Sequence, residues 1–165
     1  MHNYTFTEEV DSKDCYLITK IQFKKIIKDF DEREFKNSFD RFFCGQDNYY
    51  NLFLKKDGQL ICGALGYIYE NKVFMETFFW NEMFKEYEMY IVRGFFEEFF
   101  KRTSEKNISC AVLPLYRNRR KFESFKKHNQ IFFRSKEELE TEDQHIKDMY
   151  SQHYLLKINY ESYFS

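Results

Sequence analysis

Glu76 is the residue whose surroundings most invite chemistry. It stands in the run Val73-Phe74-Met75-Glu76-Thr77-Phe78-Phe79-Trp80, where an ionised carboxylate is costly unless a partner offsets it. A carboxyl group with a raised pKa suits a general base that takes a proton from an ammonium substrate. The plainer alternative, and the commoner one for a lone strand carboxylate, is an edge-facing or salt-bridged glutamate with a structural role. A second concentration of chemistry is basic: Arg117, Arg119, Arg120, Lys121, Lys126 and Lys127, beside Tyr116. Such a cluster can contact the phosphates of a nucleotide-like cofactor or of RNA. On a short helix it is more often a solvated face that balances acidic neighbours. His2, His128, His145 and His153 show no metal-binding spacing, H-E-x-x-H is absent, and no metal is expected. Neither G-x-S-x-G, a P-loop nor a Cys/His pairing points to hydrolase or kinase chemistry.

The chain that must position these groups has 165 residues, which suits one domain with a proper core spanning 1–165. Its 26 basic and 27 acidic side chains leave a net charge of -1, so a strongly polybasic or polyacidic partner surface is not its main theme. Nucleic acid is accordingly a weak expectation as partner. Aromatic residues make up 21% of the chain, a surplus that could leave an exposed apolar patch and drive homodimerisation. Cys15, Cys44, Cys62 and Cys110 form no close pairs. Cys62 and Cys110 lie in apolar runs, which reads as buried free thiols in a reducing compartment. The N-terminus lacks a signal pattern and no run is long enough to span a membrane, so a soluble cytoplasmic protein is expected.

The elements follow from periodicity. A weak edge strand over 3–10 leads to a helix over 17–30, with Leu17, Ile18, Ile21, Phe23, Ile26, Ile27 and Phe30 inward. A second helix over 32–43 carries Phe35, Phe39, Phe42 and Phe43 and ends at Gly45. Strands are expected over 49–54, 59–69 and 73–80, the first two joined by a hairpin turn at Asp57-Gly58. The connector 81–88, between a buried strand and a helix start, is the place to seek a ligand, because helix N-termini leave N–H groups unpartnered. The helix that follows carries a core stripe of Met89, Val92, Phe95, Phe96, Phe99 and Phe100. A strand over 107–115 then implies a parallel pair with a right-handed crossover. A short helix over 118–128 comes next, with Phe122 and Phe125 inward. After it come a strand start at 131–133, a polar helix-compatible segment over 135–152, and a last strand over 154–160.

This order resembles the fold of the GCN5-related N-acetyltransferases (GNAT): an α/β domain of α+β type, its mixed, mostly antiparallel central sheet flanked by helices. Leu54-Lys55-Lys56-Asp57-Gly58-Gln59-Leu60-Ile61-Cys62-Gly63 is similar to the family's hairpin with a glycine early in the third strand, and Phe74–Trp80 to its fourth strand. Ile108–Leu115 with Asn118–Lys127 resembles the fifth strand and following helix, and Tyr154–Ile158 the terminal strand. The resemblance implies acetyl transfer from acetyl-CoA to a small-molecule or protein amine, with the thioester entering a splay between the fourth and fifth strands. It implies Glu76 as base and Tyr116 as acid, since the family's usual tyrosine aligns with Phe125. Cofactor contacts would come from Phe78, Phe79, Trp80, Asn118 and the pyrophosphate loop. In that loop the family's Gln/Arg and two small residues are replaced by Lys85, Glu88 and Tyr90. A second expectation therefore stands beside the first: a catalytically inactive protein of this fold that binds protein or nucleic acid.

Overall fold

The computed structural model describes residues 3–129 and 136–165, with only the backbone of 85–88. Among the described residues, seven strands form one mixed sheet: β1 (Tyr4–Thr7), β2 (Tyr49–Lys56), β3 (Gln59–Tyr69), β4 (Lys72–Trp80), β5 (Cys110–Tyr116), β6 (Lys136–Glu138) and β7 (His153–Asn159). They are hydrogen-bonded in the order β1-β2-β3-β4-β5-β7-β6. The β4–β5 pair is parallel, whereas β1–β2, β2–β3, β5–β7 and β6–β7 are antiparallel. The helices are α1 (Ser12–Ile26), α2 (Glu32–Asp40), α3 (Glu88–Ser104), α4 (Arg119–His128), α5 (Gln144–Met149) and α6 (Tyr160–Phe164). The residues group into two compact units, Met1–Ile68 with Glu76–Val92 and Tyr69–Met75 with Arg93–Ser165.

In the first unit α1 starts earlier than its apolar spacing predicts, because the Asp11 carboxylate accepts the Lys13 N–H at 2.9 Å and caps it. The face it buries is also different. Leu17, Ile21 and Ile26 are exposed, and the buried positions are Cys15 and Thr19. Thr19 can be buried because its hydroxyl donates to the Cys15 and Tyr16 carbonyls. The second predicted helix ends at Asp40 and tightens into a 3-10 turn over Arg41–Phe43, which brings Phe42 inward beside Phe39. Cys15, Phe39, Phe42, Phe53, Leu60, Leu65 and Phe79 form one core. The β2–β3 hairpin turns through Asp57 (φ 50°) and Gly58 (φ 82°), the positive-φ pair that the right-handed twist of a hairpin favours.

In the second unit Phe95, Phe96, Phe99 and Phe100 of α3 are buried, as their spacing predicts. Met89, read as the first residue of that stripe, is exposed instead, because the packed part of the helix begins a turn later. Phe100 packs against Tyr160 and Tyr163 of α6, with centroids 5.5 and 5.1 Å apart, and the Thr103 and Tyr160 hydroxyls meet at 2.6 Å. The last strand stops at Asn159, whose side chain accepts from Ser162 N–H and starts α6. Within the described part of the helix-compatible polar segment, 136–138 is a strand paired to β7 and Gln144–Met149 is a helix capped by Asp143. The strand start read at 131–133 lies outside the described residues. Cys15, Cys62 and Cys110 are buried and their thiol pKa values pushed up by burial, while Cys44 is exposed. No described helix is long and apolar enough to cross a membrane.

Candidate functional site

The site is best built from β4. Its ladder with β5 covers Lys72–Phe74 against Cys110–Val112, and β4 itself runs on to Trp80. At the strand's end, Asn81 N–H donates to the Ile61 carbonyl of β3 at 2.7 Å, and the Asn81 side chain donates to Leu60 at 2.9 Å. Backbone groups of successive residues in an extended strand point to alternate edges, so the Phe78 carbonyl and the Trp80 N–H face away from β3. Both are engaged by one side chain. Gln22 of α1 donates through Nε2 to the Phe78 carbonyl at 3.0 Å, and its Oε1 accepts from Trp80 N–H at 2.9 Å. A carbonyl and an N–H two residues apart are the pair that a single residue of a parallel neighbouring strand takes up. The edge is therefore a two-point receptor for an amide. Trp80 also brings an indole Nε1 that is buried and has no hydrogen-bond partner among the described residues. A buried donor left in that state is costly unless a ligand satisfies it.

Beyond the strand, the Asn81 Oδ1 accepts the Met83 N–H at 3.1 Å and opens a 3-10 turn over Glu82–Tyr87 that kinks at Phe84 (φ -117°, ψ 48°). Lys25 of α1 forms an ion pair with Glu82 of this turn. Both side chains are exposed, so the pair adds little to stability. Of the residues aligned with a pyrophosphate loop, the side chains of Lys85 and Glu88 lie outside the described residues. Tyr90 is 90% exposed, with its ring in solvent.

Glu76 has a partner. Its Oε2 accepts from Arg41 Nη2 at 3.1 Å, and the Arg41 guanidinium lies 5.5 Å from the Phe42 ring centroid. The 3-10 turn that displaced the end of the second predicted helix is what delivers Arg41 to this place. A charge-assisted bond of this kind fixes the orientation of the carboxylate, whatever its further use.

In the second unit, Tyr116 ends β5 and is 62% exposed. Across the β5–β7 register it faces His153, their ring centroids 4.8 Å apart. Burial pushes the His153 pKa down, and its Nδ1 is buried with no hydrogen-bond partner among the described residues. Asn118 caps α4, its Oδ1 accepting Lys121 N–H at 3.1 Å. Two members of the basic cluster meet acids: Arg119 pairs with Glu123 and Glu138 and lies 4.1 Å from the Tyr154 ring centroid, and Lys126 pairs with Glu123. Among the described residues, no group of three His, Cys, Asp or Glu is placed to hold a metal ion.

Sequence reasoning missed Gln22, Arg41 and His153. The only trace of Gln22 was spacing: Cys15, Thr19 and Gln22 fall at i, i+4 and i+7, one helix face, but the aliphatic residues beside them carried the stronger apolar signal.

No family model matches the chain, and no curated protein matches its sequence. Solved structures do. The chain is similar to the PaiA N-acetyltransferase of Thermoplasma acidophilum in complex with coenzyme A, with a TM-score of 0.61 and 14% identity over 95% of this chain and 99% of that one. It is similar to a GNAT-family acetyltransferase from Staphylococcus aureus, with a TM-score of 0.65 and 13% identity over 96% and 99%. It is similar to the ribosomal-protein-S18-alanine N-acetyltransferase of Escherichia coli, with a TM-score of 0.59 and 11% identity over 96% and 94%. The chain shares the fold of these acetyltransferases.

Proposed function

We propose that the protein is an N-acetyltransferase that moves an acetyl group from acetyl-CoA to an amine of a small molecule or protein. The observation that carries this is the β4 edge, where the Phe78 carbonyl and the Trp80 N–H already hold a carboxamide at 3.0 and 2.9 Å. The pantetheine arm of coenzyme A bears amides of the same kind, so these residues fit it. Acetyl-CoA supplies an acyl group activated as a thioester. Phe78 and Trp80 would hold its arm through the backbone, with Phe79 fixing the strand from the core side. Lys85 would meet phosphate. Glu88, Tyr90 and Asn118 are the remaining contact positions, although a carboxylate at 88 repels phosphate and Asn118 already serves as a cap. Glu76, held by Arg41, would take the proton from the incoming ammonium, directly or through water. Tyr116 would return a proton to the departing sulfur.

A second reading has one specific observation behind it. Gln22 already fills the edge, so a non-catalytic protein- or nucleic-acid-binding module is the alternative. Incubation with acetyl-CoA and a panel of polyamines, amino acids and peptide N-termini separates the two, with free thiol as the readout. Amine-dependent thiol release is expected. Absence of release with every amine, with acetylated product undetectable by mass spectrometry, selects the module.

A further inference from the structure

This inference rests on the acetyltransferase reading and concerns what must leave before the cofactor is held. We propose that the Gln22 carboxamide is an internal stand-in for a ligand amide, bound at the Phe78–Trp80 edge, which an acyl-CoA displaces on binding. Its two bonds have the donor and acceptor polarity that a peptide-like amide would use there: N–H to the Phe78 carbonyl at 3.0 Å, C=O from the Trp80 N–H at 2.9 Å. Both groups of the side chain are used, on two backbone groups two residues apart, and neither is a neighbour of Gln22 in sequence. That geometry reproduces one residue of a parallel strand.

A helix side chain is well suited to this, because it leaves by rotating about its own χ angles while α1 stays seated on Cys15 and Thr19. The Lys25–Glu82 pair lies one turn further along α1 and ties it to the turn after β4. Gln22 thus satisfies both strand groups, which avoids leaving them unpartnered. The consequence is competition. An incoming amide exchanges for the Gln22 bonds and gains little from them, so the wild-type protein binds coenzyme A more weakly than the bare edge would. Two ordinary hydrogen bonds of this kind correspond to a factor of about ten.

The test uses the full chain with Gln22→Ala, and Gln22→Met as a variant that keeps side-chain volume without bonding to the backbone. Coenzyme A is titrated by calorimetry, and Trp80 amide hydrogen exchange is followed with and without it. Both variants are expected to bind about tenfold more tightly than wild type. Trp80 exchange should quicken in the free variants and slow again when coenzyme A is added. Equal or weaker binding by both folded variants, beside measurable wild-type binding, overturns the displacement proposal and leaves the acetyltransferase reading standing. No binding by wild type or either variant overturns both.

Discussion

Glu76→Gln is expected to lower amine acetylation by about 100-fold, within the range general-base catalysis supplies, while coenzyme A affinity and the melting temperature stay close to wild type. The substitution keeps the volume, and the amide oxygen can still accept from Arg41, so the 3.1 Å contact survives in weaker form. What is lost is the capacity to take a proton. A structural glutamate gives the opposite pattern: thermal stability falls with the ion pair, and the rate per folded molecule is unchanged. Rate and melting curve measured on the same preparation therefore decide which role Glu76 has, and an unaltered rate removes it from the chemistry.

Gly63→Ala is the substitution expected to damage the fold most for the fewest atoms. A Cβ built at this position lies 2.6 Å from Phe53 Cδ1 and 2.6 Å from Phe79 Cζ. Both rings are fully buried in the core of the first unit, so neither is a flexible end that can swing aside. Overpacking of this kind costs about 3 kcal/mol, which lowers the melting midpoint by about 6–12 °C for a chain of this size. Phe53→Leu combined with Gly63→Ala should recover part of the loss, a non-additivity that marks direct contact. An unchanged midpoint in the single variant would show that the strand shifts to make room. Because Phe79 sits between Phe78 and Trp80, the same variant should also loosen the edge that Gln22 occupies.

Much of this architecture was legible in the sequence where local and tertiary preferences agree. β3 runs over Gln59–Tyr69 as read, the Asp57-Gly58 turn has the backbone its residues favour, and Phe95, Phe96, Phe99 and Phe100 of α3 are buried together. The failures share a cause. α1 leaves Leu17, Ile21 and Ile26 in solvent and buries the small Cys15 and Thr19, Cys15 within the core that holds Phe53 and Phe79 and Thr19 with its hydroxyl satisfied by its own helix. Periodicity alone cannot reveal that. The shift at Arg41–Phe43 from α to 3-10 geometry, which gives Glu76 its partner, is likewise decided by where Phe42 must pack. Glu76 and the end of β4 were visible as candidates. The side chains that meet them, Arg41 and Gln22, come from positions 35 and 58 or 56 residues away along the chain, and no local pattern connects them.

Acetyl-CoA held at the β4 edge, as proposed, must perturb the backbone at Phe78–Trp80. The direct measurement is a titration of the wild-type protein with coenzyme A, followed at the Trp80 backbone amide resonance. A saturable shift at that amide below millimolar cofactor, with the Gln22 side-chain amide resonances moving in step, is the predicted result. A Trp80 amide that stays in place at millimolar coenzyme A would contradict it.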